Sequence, residues 1–154
     1  MAAVPIRFGR LGLSGNSRML VAVSSPWASE KFVTPIRDLA QRLDAAVVVA
    51  HVAQQREDDT DSEDVKQRAA QTLELLAESL RESGVEADGV TLISNDVAKA
   101  ILSTAKARSC SLVVMGLSGR GRLKRLIAGD VPADVLRLTD IPVLLYPGST
   151  PPLV

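Results

Sequence analysis

The sequence predicts a single α/β domain in which a parallel five-stranded sheet is covered by helices on both faces. Along residues 19–146, short apolar runs alternate with longer segments in which apolar residues recur every three or four positions. The short runs are rich in β-branched residues, which is typical of strands buried on both faces. Strands that alternate with helices are joined by right-handed crossovers and therefore run parallel.

Five apolar runs predict the strands. The weakest, at 85–93, is interrupted by Asp88 and Gly89. Both residue types weaken the interior of a strand, so we place this strand near an edge of the sheet. The other four runs are continuous and lie at 19–23, 46–50, 111–115 and 141–145.

Two regular apolar stripes predict the second and third helices. The first stripe has spacings of four, four, three and four and ends before Gly84, so its members share one face of a helix. The second is opened by Asn95 or Asp96, which are both good N-caps. The stripes consist of Val65, Ala69, Leu73, Leu76 and Leu80, and of Val97, Ile101 and Ala105.

The first and last helices have less regular patterns. We expect the last one to be opened by Asp130 and to bury Val135. For the first, between residues 27 and 43, two starts compete. A start at Ser29 places Pro35 where it breaks a hydrogen bond, whereas Thr34 as N-cap places Pro35 at the favoured first helical position.

Composition and charge exclude several classes of function. The chain has 154 residues, which suits one domain, and carries 18 basic and 18 acidic residues. With no net charge, it has no general attraction to nucleic acid or to an anionic membrane. No apolar stretch reaches the roughly 18 residues of a membrane span. The single cysteine, Cys110, cannot form an intrachain disulfide, and we expect a cytoplasmic protein.

Three regions are expected along the chain. Residues 1–18 form a basic leader that shares its arginine bias with organelle transit peptides, residues 19–146 form the domain, and residues 147–154 form a proline-rich tail. Inside the domain, residues 57–64 hold six acids in eight positions. Because like charges repel, we expect this segment to be a mobile loop that does not pack.

A glycine-rich segment after the fourth strand is the main candidate for a binding site. Gly116, Gly119 and Gly129 permit tight turns and the close approach of a ligand to the backbone. The helix that opens near Asp130 directs free N–H groups toward the same space, as in a phosphate-binding loop. Loop flexibility alone is the alternative explanation for these glycines.

The spacing of the three glycines resembles the nucleotide-binding signature of the universal stress protein family. That signature is Gly, two residues, Gly, nine residues and Gly, followed by Ser or Thr. The segments 21–30 and 133–145 and the pair His51–Val52 resemble the same family. The resemblance implies a Rossmann-like fold with the sheet order 3-2-1-4-5 and helices on both faces.

The resemblance also implies a ligand and the residues that hold it. An adenine nucleotide would bind where the strand order reverses, beyond the first and fourth strands. Val52 would line the adenine, Ser24 would face the base or ribose, and the glycine loop would border the phosphates. The full candidate set is Val23, Ser24, Ser25, Val52, Met115, Gly116, Gly119, Arg120, Gly129, Asp130 and Val131.

Two residues depart from the family pattern. The nucleotide binders usually have Asp at the position of Ser24 and a hydroxyl residue at the position of Asp130. Ser24 retains a neutral hydrogen bond, but Asp130 would repel a polyphosphate at the helix N-terminus. Asp130 is alternatively a simple N-cap. Arg120, with the basic residues at 122–125, would offset this charge or form a solvated surface.

We therefore predict a nucleotide-binding sensor or regulatory protein whose ligand is AMP, ATP or a cyclic dinucleotide, with no required cofactor. The alternative is a ligand-free dimeric interaction module. No nucleophile–base pair or pair of acid–base carboxylates is recognisable, so no catalytic residue is assigned. His51 and Cys110 are interpreted as structural, and no metal site is predicted. We expect a homodimer through the last strand, 141–146, at the sheet edge.

Overall fold

The computed structural model describes residues 17–23, 33–53, 63–117 and 131–147. Within these ranges, strands and helices alternate along the chain as the sequence predicts. The elements are β1 (Ser17–Val23), α1 (Val33–Leu43), β2 (Ala45–Ala53), α2 (Glu63–Glu82), β3 (Ala87–Ile93), α3 (Val97–Ala107), β4 (Leu112–Leu117), α4 (Val131–Leu138) and β5 (Val143–Pro147).

The five strands form one parallel sheet in the order β3-β2-β1-β4-β5. This order confirms the predicted fold. The chain adds strands outward from β1 to β3, and then returns to the other side of β1 and adds β4 and β5. β3 and β5 are the two edge strands, as expected for the interrupted third strand and for the last strand.

Helices α1 and α2 cover one face of the sheet. Leu73, Leu76 and Leu80 of the apolar stripe of α2 are buried here, and Leu80 is fully excluded from solvent. α2 lies so close to β3 that a Cβ atom at Gly89 would be 3.3 Å from Cγ of Leu73. The glycine that weakens β3 in the sequence therefore makes room for α2 in the structure.

Helices α3 and α4 cover the opposite face. Ala98, Ile101 and Ala105 of α3 and Val135 of α4 belong to this second hydrophobic cluster. Cys110 lies in the same cluster and is a buried free cysteine, which confirms its place in the core. Burial raises the pKa of the Cys110 thiol, although the positive charges of two nearby arginines oppose that effect.

The helix starts partly differ from the expectations. Asp96 is the N-cap of α3, and its side chain accepts a hydrogen bond from the N–H of Lys99 at 3.1 Å. Thr34 is not the N-cap of α1, because Val33 and Thr34 are already helical. The alternative start at Ser29 lies outside the described residues and stays a prediction. Pro35 is the third residue of the helix as described.

The predicted acidic loop at 57–64 is too long. α2 begins at Glu63, so Glu63 and Asp64 are helical residues. Negative side chains are stabilised at the positive end of the helix dipole, which accounts for a helix start inside the acidic run. Residues 57–62 lie outside the described ranges, as do 1–16 and 148–154. The predicted domain limits at residues 18 and 146 stay predictions.

Candidate functional site

The sheet divides at its carboxyl edge, between the two central strands. The pairing of β1 with β4 ends at Ala22 and Met115. β1 continues along β2 to the pair Val23–His51, and β4 remains paired with β5 for two further residues. Each central strand therefore stays paired with its outer neighbour after the pairing of β1 with β4 has stopped, and we call the position between the ends of β1 and β4 the crevice. In open α/β sheets, this is the position at which ligands bind.

Four predicted site residues lie at the mouth of this crevice. Val23 is the last residue of β1, Val52 is the penultimate residue of β2, and Met115 and Gly116 are near the end of β4. All strands are parallel, so these positions meet at one edge of the sheet. Their role in binding stays a prediction.

The predicted residues are divided between the two faces of the sheet. Val52, Met115 and Val131 belong to the hydrophobic cluster beneath α3 and α4. Met115 is 5% exposed, so it mainly supports the floor of the crevice. Val52 and Val131 are only partly buried and retain apolar surface. Val23 packs against the opposite cluster, beneath α1 and α2.

The first turn of α4 combines the positive end of a helix dipole with a carboxylate. Val131 is the first residue of α4, and Pro132, which has no N–H group, follows it. Asp134 lies in this first turn and forms an ion pair with Arg137. The positive end of the helix dipole is thus partly compensated by an acid of the helix itself.

Two residues at this edge were not among the predicted site residues. His51 places Nδ1 3.2 Å from the carbonyl oxygen of Val23. Tyr146 is half-buried on β5, where it is in register with Gly116 of β4. The sequence indicates that each residue lies near a strand end, but the register between strands that brings them to this edge is not visible in it.

The remaining predicted site residues lie outside the described residues. They are Ser24, Ser25, Gly119, Arg120, Gly129 and Asp130. Within the described ranges, no group of three or more His, Cys, Asp or Glu residues is arranged to hold a metal ion. No helix in those ranges is long and apolar enough to cross a bilayer.

The family model for the universal stress protein family matches residues 15–147. The chain belongs to the universal stress protein family. A curated member, Universal stress protein YxiE of Bacillus subtilis (strain 168), is 30% identical over 146 residues. The alignment covers 84% of this chain and 97% of that relative, so nearly all of the relative has a counterpart in this universal stress protein.

Solved structures of universal stress proteins have the same fold. One, in complex with cAMP, aligns with a TM-score of 0.67 and 18% identity over 86% of this chain and 98% of that chain. Another, from Archaeoglobus fulgidus in complex with dAMP, aligns with a TM-score of 0.61 and 19% identity over 84% of this chain and 96% of that chain. These alignments support the Rossmann-like arrangement of the sheet and its helices.

Proposed function

We propose that this universal stress protein binds an adenine nucleotide in the crevice between β1 and β4 and acts as a sensor or regulatory protein. One observation carries the proposal. The two strands part after Ala22 and Met115, directly before the glycine signature that begins at Gly116. Two structures of the family contain cAMP and dAMP, and each of these ligands has one phosphate group.

The adenine and the phosphate would use different parts of the crevice. Val52 and Val131 offer partly buried apolar surface suited to an adenine ring. The ribose would lie near Val23 and the serines at 24 and 25. The phosphate would lie over Gly116 and the glycine loop with Arg120, near the positive end of the α4 helix dipole.

Negative charge at the start of α4 favours a ligand with few phosphates. Asp130 directly precedes the helix, and Asp134 lies in its first turn. Arg137 compensates Asp134 through an ion pair. The charge of Asp130 would therefore oppose the additional phosphates of ATP more than the single phosphate of AMP. We propose AMP or a cyclic dinucleotide as the preferred ligand and ATP as a weaker one.

Calorimetric titration of the purified full chain tests this function, after native mass spectrometry for nucleotide that copurifies. We expect micromolar affinity for AMP and weaker binding of ATP. Asp130→Ser is expected to strengthen ATP binding about fivefold, which corresponds to about 1 kcal/mol of charge interaction at a helix terminus. Asp140→Ser is the matched control, because it removes the same charge beyond the other end of α4, about 12 Å away along the helix.

Absence of binding by AMP, ADP, ATP, cAMP and cyclic dinucleotides would contradict the proposal. It would support a ligand-free interaction module, which the departures at Ser24 and Asp130 favour. Binding with equal affinity for AMP and ATP in both the native chain and Asp130→Ser would leave the nucleotide site intact but contradict the role of Asp130.

The function that we propose needs binding and no chemical step. Neither the sequence nor the described part of the site suggests a nucleophile with an adjacent base. Release of ADP from ATP by the purified chain is therefore expected to remain at the background rate. We also propose a cytoplasmic location, because an unpaired buried cysteine suits a reducing compartment.

A homodimer through β5 is part of the same proposal. β5 is an edge strand with β4 on one side only, and the preceding helix α4 exposes Leu136 by 46% and Leu138 by 56%. An apolar edge of this kind tends to pair with another chain. Light scattering across micromolar concentrations should give the mass of a dimer.

A lysine at position 138 tests this interface. Leu138→Lys is expected to shift the dimer toward monomer, because a charge at an apolar contact must lose its hydration. Leu75→Lys is the control, since Leu75 is 62% exposed on α2, which covers the opposite face of the sheet. A native chain that remains monomeric, or equal effects of both variants, would contradict the interface through β5.

A further inference from the structure

We propose that His51 is a positioning residue that holds the carboxyl end of β1 against β2 and so maintains the crevice beside β4. Its effect on ligand affinity rests on the function proposed above, whereas its effect on the end of β1 does not. The imidazole is half-buried and links β2 to β1 through a hydrogen bond between His51 and Val23, which are 28 positions apart in the sequence.

The direction of the hydrogen bond follows from the atoms involved. Nδ1 of His51 is 3.2 Å from the carbonyl oxygen of Val23, and a carbonyl oxygen can only accept. Nδ1 therefore carries a proton and donates it to this bond. The imidazolium form and one of the two neutral tautomers both have that proton, so the contact does not require a particular charge on the ring.

The bond lies at the last described pair of β1 and β2. Val23 is in register with His51, whereas the pairing of β1 with β4 has already ended one residue earlier, at Ala22. Because the imidazole is on β2, its hydrogen bond adds a side-chain contact to the backbone ladder that joins this part of β1 to β2. His51 thus acts on the side of the crevice that carries Val23 and Val52.

Three variants separate this role from simple packing. In His51→Asn, the side-chain amide is attached to Cγ as Nδ1 is, so it retains a donor near the original position. His51→Leu has a similar bulk close to the backbone but has no donor. Gln41→Leu is the control, because Gln41 donates a side-chain hydrogen bond of the same length, 3.2 Å, to the carbonyl oxygen of Ser83 outside the crevice.

AMP titration of the three variants is the first measurement. His51→Leu is expected to bind AMP about tenfold more weakly, the effect of a lost interaction of ordinary hydrogen-bond strength. His51→Asn and Gln41→Leu should stay within about threefold of the native chain. Unchanged affinity in His51→Leu, or equal losses in His51→Leu and His51→Asn, would overturn the role. Cooperative unfolding of each variant establishes that it is folded.

The second measurement needs no ligand. His51 is the only histidine of the chain, so a long-range ¹H–¹⁵N spectrum of the imidazole needs no assignment. At about pH 9, where imidazoles are neutral, we expect the tautomer with the proton on Nδ1. The opposite tautomer would overturn the role. If the native chain binds no nucleotide, the proposed function fails, and this spectrum still decides whether His51 holds the end of β1.

Discussion

Replacing Ser109 by glycine is expected to stabilise the domain, because Ser109 occupies a backbone conformation that favours glycine. Its φ angle is +56°, in the left-handed region. Ser109 takes part in a Schellman motif at the end of α3. Its own N–H donates to the carbonyl oxygen of Lys106 at 3.1 Å, and the N–H of Cys110 donates to the carbonyl oxygen of Ala105 at 2.8 Å. Ser109 is exposed, so its side chain contributes little to packing.

The expected gain follows from two opposing terms. A residue with a side chain pays about 1–2 kcal/mol in the left-handed region. Glycine avoids this cost but loses about 0.5–1 kcal/mol more conformational entropy on folding. The net gain for Ser109→Gly is therefore about 0.5–1 kcal/mol, which raises the melting temperature of a domain of this size by about 1–4 °C.

Two further substitutions provide matched controls. Gly84 ends α2 in the same motif with φ +86°, and a Cβ atom there would meet nothing within 4 Å. Gly84→Ala should therefore destabilise the domain by about 1 kcal/mol through backbone strain alone. Ser103→Gly makes the same exchange as Ser109→Gly inside α3, where glycine costs about 0.5 kcal/mol.

Urea denaturation measures all three free energies of unfolding. The reasoning requires opposite signs for Ser109→Gly and Ser103→Gly with an unchanged slope against urea concentration. Destabilisation by Ser109→Gly, or no loss of stability in Gly84→Ala, would refute it.

Two other predictions concern the core. Burial raises the pKa of Cys110, so the thiol loses its proton at lower pH in the unfolded chain than in the folded one. The free energy of unfolding should therefore fall as pH rises above about 9. Urea unfolding measured over a range of pH should show a smaller fall in Cys110→Ala. Gly89→Val should lower the free energy of unfolding by about 1–3 kcal/mol, because the added carbons meet Leu73. If urea denaturation gave the variant the same stability as the native chain, α2 would have to be able to move away from β3.

Much of the fold follows from local sequence patterns. The continuous apolar runs and the stripe of α2 are properties of short segments, and a strand or a helix is the structure that buries each of them. The order of the strands followed from the resemblance to the family rather than from periodicity. Thr34 was wrongly offered as the N-cap of α1 because Pro35 suits the first helical position, although a third-position proline breaks no hydrogen bond either.

The candidate site was less predictable because it depends on contacts between distant segments. The glycine signature identified the loop after β4, and the resemblance to the family implied Val23 and Val52. The contact between His51 and Val23 depends on the register of β1 and β2, which no local pattern specifies. Likewise, Val131 reaches the cluster of Met115 only because α4 packs on the same face as α3.

The division of the sheet gives it a weak seam along its centre. Among the described residues, four pairs join β1 to β4, from Met19–Leu112 to Ala22–Met115, whereas seven join β1 to β2 and five join β4 to β5. A ladder with fewer pairs resists bending less, so we expect any relative motion of the two halves to be concentrated along this seam. A molecule in the crevice would touch both halves at the end of the seam, where it would stiffen the entire sheet.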